Sequence, residues 1–311
     1  MDLYICLTPL QTLIVEKIIE KSSSETALCF CFSYRNKINV KYYERLKSKV
    51  TQSHYFIEPF CVRMIWDIYN YSKGKKFSSI YVANINHPFV LYMLSFLKFK
   101  SLYTFDDGAA NISYNGAFYK KKSESLGKRV AHWLLGRRYT RERILLESKK
   151  HYTIYANMPN IIQNIENISL FCDGSISSNF EADEISIFLG SIYNEFVKDE
   201  SLYKIKQDVL LFLKSIDDIY YVPHPRESLE DFKKYYIPDE LCKNEVVEST
   251  IIRLLSIYSK INVYGFASTA QFNLMNFQRV KCIVLKHDFL DEVTLSNCDR
   301  LISMGASYQS I

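Results

Sequence analysis

Short β-rich runs alternate with helix-periodic stretches from the first residues onward, and this alternation is the strongest constraint on the fold. "DLYICL" leads into Thr8-Pro9, where Thr8 suits an N-cap and Pro9 the first helical turn. Leu10, Leu13, Ile14, Ile18 and Ile19 then keep helical spacing. "ALCFCFS" reads as a second strand, and "HYFIEPF", "SSIYVAN" and "SLYTFDD" repeat the scheme. Helical patterns lie between them, at Val40 to Lys49 and Phe89 to Leu97. Strand-helix-strand alternation predicts a parallel sheet covered by helices on both faces.

Between Thr140 and Asp183 the rhythm weakens into a polar, Asn-rich stretch punctuated by turns. A second series follows: "EISIFLGS", "DIYYVPHPRE", "KINVYGFAST" and "VKCIVLK", ending near "RLISMG". The 311 residues fit two domains of ordinary size. The predicted organisation is an N-terminal Rossmann-like domain (1–160), a crossing (161–182) and a C-terminal Rossmann-like domain (183–311). Two such α/β halves, with parallel sheets facing an interdomain cleft, describe a GT-B architecture.

Composition narrows the class. Hydrophobic residues at 48% and charged residues at 23% predict a packed fold rather than disorder. The 24 Tyr and 20 Phe suit either carbohydrate stacking or a filled core. A net charge of +5 argues against a dedicated nucleic-acid binder, yet fits an anionic substrate or an acidic membrane surface. Eight Cys without a C-x-x-C pair read as free thiols in a reducing compartment. The N-terminus lacks a basic n-region, and no apolar run approaches the ~18–20 residues that span a bilayer. A cytoplasmic protein is expected, soluble or peripheral on the membrane.

Polar residues gather at the predicted C-terminal strand ends, where open α/β sheets bind ligands. They are Asp106 and Asp107, Gly190-Ser191, His224-Pro225-Arg226, and Ser268-Thr269. Asp106-Asp107-Gly108 reads either as a turn or as a carboxylate pair at a ligand crevice. His224 stands between Pro223 and Pro225, which hold the backbone extended, and beside Arg226. An imidazole and a guanidinium presented together suit a phosphate, and a cationic His can protonate a leaving group. Ser268 precedes a helix with Gln271 three positions on, which makes a capping box and also an anion-binding helix start. Between Lys120 and Lys150 lie Lys121, Lys122, Lys128, Arg129, Arg137, Arg138, Arg141, Arg143 and Lys149, interleaved with "VAHWLLG". That run is either a solvated face or a membrane-surface patch.

Dinucleotide and P-loop fingerprints, a G-x-S-x-G elbow, metal-ligand spacings and an Asp-x-Asp motif are all absent from the sequence. No metal or other cofactor is expected.

Together "LYICLTPLQTLIVEKII", "YTFDDGAANI", "KHYTIYANMPNI", "IFLGS" and "YYVPHPRE" resemble glycosyltransferase family 52, the bacterial lipooligosaccharide and capsule sialyltransferases. The resemblance implies inverting, metal-independent transfer of sialic acid from CMP-sialic acid to a terminal galactose. On it, His224 contacts the donor phosphate and acts as the acid for CMP departure, with Pro223, Pro225 and Arg226 beside it. Gly190, Ser191, Ser268 and Thr269 match donor-binding positions. Asp106, Asp107 and Gly108 match the acceptor side, joined by Thr8 and Gln11 of the N-terminal motif. Tyr193 stands where some relatives carry an Asp, so the base is Asp107, helped by Asp106 if like-charge repulsion raises its pKa, or Glu195. Open alternatives are another nucleotide-sugar donor, a non-catalytic nucleotide-binding assembly protein, α2,3 or α2,6 linkage, and a homodimer. Contact with the inner membrane through the Lys120–Lys150 cluster is a further expectation.

Overall fold

The computed structural model describes all residues except 33–36, 58–59, 114–117, 121–123, 156–157, 171–181, 198, 225–226, 228–229, 243–244 and 276. The chain divides into two compact units, Met1–Phe171 and Cys172–Ile311.

The first unit runs β1 (Asp2–Cys6), α1 (Pro9–Glu20), β2 (Thr26–Phe32), α2 (Lys37–Lys47), β3 (Gln52–Ile57), α3 (Val62–Ser72), β4 (Lys76–Val82), α4 (Pro88–Phe96) and β5 (Lys98–Phe105). It continues through α5 (Leu126–Leu134), α6 (Arg141–Glu147), β6 (Ser148–Thr153) and β7 (Ile165–Asn167). Its seven strands lie in the order β3-β2-β1-β4-β5-β6-β7, all parallel. The order reverses at β1, which pairs with both β2 and β4. A crevice opens at such a switch point beyond the strands' C-terminal ends.

Local chemistry explains the central elements. β1 is buried on both faces, as an apolar strand between two neighbours must be. α1 starts where expected: the Thr8 hydroxyl accepts from Gln11 N at 3.3 Å and Pro9 opens the first turn. α4 buries six consecutive residues, Phe89 to Leu94, as a helix apolar all round does. Part of the tyrosine enrichment goes into the sheet. Tyr4, Tyr81 and Tyr103 stack across β1, β4 and β5 with centroids 4.4 and 4.8 Å apart, and Tyr152 of β6 extends the ladder.

The second unit comprises β8 (Ala182–Leu189), α7 (Asp199–Lys214), β9 (Ile219–Val222), α8 (Asp239–Cys242), α9 (Val247–Leu254), β10 (Tyr258–Gly265), α10 (Thr269–Leu274), β11 (Val280–Lys286), α11 (Glu292–Ser303) and β12 (Ser307–Ser310). Its parallel sheet has the order β12-β11-β10-β8-β9. The switch point lies between β8 and β10. Both units are therefore doubly wound α/β sheets of the Rossmann type.

Three strands lack the alternation the sequence was read for. β7 falls inside the stretch read as the 161–182 crossing. β12 is polar and exposed along its length, so no buried face marks it. β6 turns His151 and Thr153 inward while Lys149 points outward, the reverse of an apolar-in pattern. Among the described residues every cysteine is free, and no helix is long and apolar enough to cross a membrane.

Candidate active site

The first unit gathers its polar groups at the β1/β4 switch point. Gln11 follows β1, Asn84 follows β4 and Asp107 follows β5. Gln11 Nε2 donates to Asp107 Oδ1 at 2.6 Å, and Asn84 Nδ2 donates to Oδ2 at 2.8 Å. Both donors are themselves fixed. Gln11 is fully buried and its Oε1 accepts Leu7 N at 2.6 Å, while Asn84 Oδ1 accepts Asn86 N. Asp107 N donates to Asn111 Oδ1 at 2.8 Å, closing the turn through Gly108, whose φ of +55° favours glycine.

The carboxylate of Asp107 is half-buried, and burial raises its pKa above the usual Asp value. The Gln11 and Asn84 hydrogen bonds and His87 pull the other way, and the nearby Asp106 adds only the last contribution upward. Like-charge repulsion from Asp106, the cause anticipated from the sequence, is thus secondary to desolvation.

Asp106 differs from its neighbour completely. It is 0% exposed. Its Oδ1 accepts from His151 Nε2 at 2.9 Å, and Oδ2 accepts from Thr153 Oγ1 at 2.8 Å and Ile154 N at 2.7 Å. His151 Nδ1 lies 2.9 Å from Thr104 Oγ1. The Asp106 side chain therefore ties β5 to β6, with no surface open to a substrate. That arrangement corrects the expectation that Asp106 contacts the acceptor or takes part in the chemistry. His151 and Thr153 are the polar inward residues that concealed β6 in the sequence.

In the second unit His224 follows β9. Its backbone N–H donates to Glu227 Oε2 at 3.0 Å, and Glu227 N returns a bond to His224 O at 2.8 Å. The other oxygen, Oε1, accepts the Tyr221 hydroxyl at 2.5 Å. Glu227 is half-buried, and desolvation raises its pKa. Gly190 ends β8 against this cluster: a Cβ there would overlap Glu227 Oε2 and lie 2.8 Å from Tyr221 Oη. The Gly190-Ser191 turn thus needs glycine because a half-buried carboxylate occupies the side-chain space.

Ser191 and Pro223 are half-buried beside these residues in sequence. Tyr193 is buried, its Oη 3.4 Å from Tyr221 Oη, and burial pushes its pKa far up. It is a core residue. Glu195 ends the same 3₁₀ turn, exposed. Ser268 caps α10: its hydroxyl accepts Gln271 N at 3.3 Å, and its own N–H donates to Gln271 Oε1 at 3.1 Å. Ala267 before it holds φ +53°, a conformation that costs a side-chain-bearing residue about 1–2 kcal/mol. Thr269 opens the helix. Pro225 and Arg226, with Lys121 and Lys122 of the basic cluster, lie outside the described residues.

The geometry thus forms two clusters, one around Asp107 and one around His224 and Glu227. Asn84, Asn111, His151, Tyr221 and Glu227 were missed by the sequence reading. Asn84 and Glu227 had a usable signal, since Asn84 follows "IYVA" at a strand end and Glu227 closes "PHPRE". Among the described residues no group of three His, Cys, Asp or Glu could hold a metal ion.

Comparison with known proteins gives a consistent picture. A CMP-N-acetylneuraminate:beta-galactoside alpha-2,3-sialyltransferase of Pasteurella multocida is 31% identical over 294 residues, covering 93% of this chain and 92% of the relative. An N-acetyllactosaminide alpha-2,3-sialyltransferase of Haemophilus influenzae is 30% identical, with 90% of each chain covered. One of Neisseria meningitidis is 22% identical over 94% of this chain and 80% of its own. The crystal structure of a glycotransferase of kitacinnamycin aligns with a TM-score of 0.53 at 9% identity, covering all of this chain and 85% of its own, and supports the GT-B class. Residues 28–289 match the profile of glycosyltransferase family 52, and with that match and those relatives the chain belongs to glycosyltransferase family 52.

Proposed function

We propose that this chain is an inverting α2,3-sialyltransferase that moves sialic acid from CMP-sialic acid to a galactose hydroxyl. The observation carrying this reading is Asp107: a half-buried carboxylate at a switch point, aimed by two fixed amide donors and raised in pKa by burial. A general base works best when its pKa lies nearer the operating pH than that of an ordinary carboxylate. The name of the Pasteurella relative supports the donor, a galactoside acceptor and the linkage, and the names of the other two support an N-acetyllactosaminide acceptor and the same α2,3 linkage.

In this reading the acceptor hydroxyl attacks the anomeric carbon of the sialyl group and its proton passes to Asp107. The bond from that carbon to the phosphate oxygen breaks, and CMP leaves with that electron pair. His224 donates to the leaving phosphate, stabilising charge where it develops. Thr8, Gln11, Gly108 and Asp107 form the acceptor side. Gly190, Ser191, Pro223, Pro225, Arg226, Ser268 and Thr269 join His224 on the donor side. Glu227 and Tyr221 act as positioning residues for His224. No metal is required, and the acceptor is a lipooligosaccharide or capsular glycan at the cytoplasmic face of the inner membrane. Homodimer formation and membrane contact through the Lys120–Lys150 cluster belong to the same proposal.

The test is CMP release from CMP-sialic acid in EDTA, with and without lactose, for wild type, Asp107→Asn, Glu195→Gln and His224→Ala. Lactose-stimulated, EDTA-resistant release that collapses in Asp107→Asn and His224→Ala but survives in Glu195→Gln is the expected result. Unchanged turnover in Asp107→Asn overturns the choice of base. Release only from UDP- or GDP-sugars overturns the donor, and tight CMP binding without turnover of any donor favours a binding protein.

A further inference from the structure

Helix α5 is amphipathic with its apolar side turned outward. None of its residues is buried. It meets α4 through His132, whose Nδ1 lies 2.8 Å from Tyr92 Oη, and through Gly136 just beyond its end, where a Cβ would come 2.7 Å from Phe96 Cε1. Leu126, Val130, Trp133 and Leu134 recur at helical spacing on the side away from His132. Trp133 is 57% and Leu134 71% exposed.

Helix α3, some sixty residues earlier and outside the basic cluster, repeats the pattern. Met64, Ile65 and Ile68 enter the core, while Val62, Trp66 and Tyr69 stay out at i, i+4 and i+7. Trp66 is 63% exposed and stacks on Tyr69 at 5.7 Å. The two helices flank the same residue of α4. Tyr69 packs edge-on against Phe96 at 5.6 Å, the ring that also abuts Gly136. Their outward sides therefore form one surface, and it carries both tryptophans of the chain.

Basic side chains border this surface. Arg63, Lys73, Lys128, Arg129 and Arg138 are exposed, and the Arg138 guanidinium lies 4.7 Å from the Trp133 ring centroid. Against them stand Asp67 and Glu124, the latter in an ion pair with Arg137. Tryptophan and leucine set among Lys and Arg match an interfacial membrane site, where rings sit at headgroup level and cations meet anionic lipid. A second copy fits less well, because a two-fold contact would set this basic border against itself.

We propose that the α3–α5 face docks on an anionic phospholipid bilayer, with Trp66, Trp133 and Leu134 entering the interface. This inference deepens the membrane contact proposed above, extending it from the Lys120–Lys150 cluster to a face shared with α3. Its test uses no turnover as a primary readout, so its failure leaves the transferase reading standing.

The experiment mixes the full chain with phosphatidylglycerol/phosphatidylcholine vesicles and with phosphatidylcholine alone. Flotation and tryptophan emission are followed, and Trp66→Phe and Trp133→Phe leave one reporter each. The expected result is flotation with anionic vesicles, a blue shift of each reporter and its quenching by brominated lipid. Raising NaCl from about 0.1 M to about 0.5 M should reverse binding. Lys128→Glu/Arg129→Glu should bind anionic vesicles about tenfold more weakly, and Trp133→Ser/Leu134→Ser should lose binding while keeping wild-type turnover of soluble lactose. Absence of any shift, or equal binding to phosphatidylcholine, overturns the proposal. A blue shift that appears with protein concentration in the absence of lipid assigns the face to a second copy instead.

Discussion

Glu227 holds His224 by the backbone: Oε2 accepts the His224 N–H at 3.0 Å while Oε1 takes the Tyr221 hydroxyl. The backbone that carries the imidazole is thereby held by a half-buried carboxylate that is anchored in turn to an aromatic stack. Tyr221 lies face to face with Phe188 at 5.3 Å and Phe232 at 4.9 Å. A rigid core therefore reaches the proposed acid through two hydrogen bonds.

Replacing Glu227 tests this relay. Glu227→Ala leaves two donors without their acceptor and frees the His224 loop. The expected loss in kcat/KM is on the order of 10²-fold, the scale of a misplacement of about 1 Å. Glu227→Gln keeps the size and an acceptor oxygen, so most activity should return. Steady-state kinetics on a soluble galactoside checks both. Equal activity in wild type and Glu227→Ala would remove the positioning role.

The pH profile tests Asp107. The proposed base must be ionised to accept a proton, and burial raises its pKa. Activity should therefore fall with decreasing pH earlier than an ordinary Asp, with a pKa of about 3.9, would dictate. Asn84→Ala deletes a donor that lowers this pKa, so the acid limb of kcat/KM should move to higher pH. Asp107→Asn should lose about 10²–10⁴-fold on the plateau above the acid limb, and the limb itself should disappear. An acid limb that stays in place in Asn84→Ala would exclude Asp107 as the titrating group.

Asp106 carries the opposite expectation, a stability effect. Asp106→Ala strands His151, Thr153 and the Ile154 N–H in the interior. Each buried donor left unpaired costs about 1–3 kcal/mol, so a loss of about 3–5 kcal/mol is expected. Urea unfolding measures it. A stability within about 0.5 kcal/mol of wild type would contradict the structural role.

The limits of sequence reading follow from these same residues. The strands β1, β2, β4, β5, β8, β10 and β11 announce themselves because each carries a β-rich apolar run that enters the core and polar residues mark its C-terminal end. β6 does not, since its inward positions are His151 and Thr153, and the reason for their polarity lies on another strand, at Asp106. Asp106 and Asp107 are adjacent and chemically identical in sequence. Only the alternation of a strand end sends one carboxylate inward to β6 and leaves the other at the crevice with Gln11 and Asn84. Tyr193 likewise looks like a substituted acid until its burial against Tyr221 shows it to be packing. The "PHPRE" run points to His224, whereas the hold on it by Glu227 depends on a turn that composition does not reveal.

Gly190 supplies the sharpest test of the donor-side cluster. A Cβ there overlaps Glu227 Oε2 and presses on Tyr221, its distance to Tyr221 Cε1 being 2.9 Å. Tyr221 is clamped between rings, so Glu227 is the group that must move, and the His224 N–H loses its acceptor. Gly190→Ala should therefore cost about 1–3 kcal/mol of stability as an overpacked site and reduce kcat/KM on the scale of Glu227→Ala. Because both substitutions act through the same displacement, the double variant should be little worse in activity than either single one, a coupling that a double-mutant cycle measures directly. Full additivity of the two losses would mean that Gly190 serves donor turnover by a route separate from Glu227.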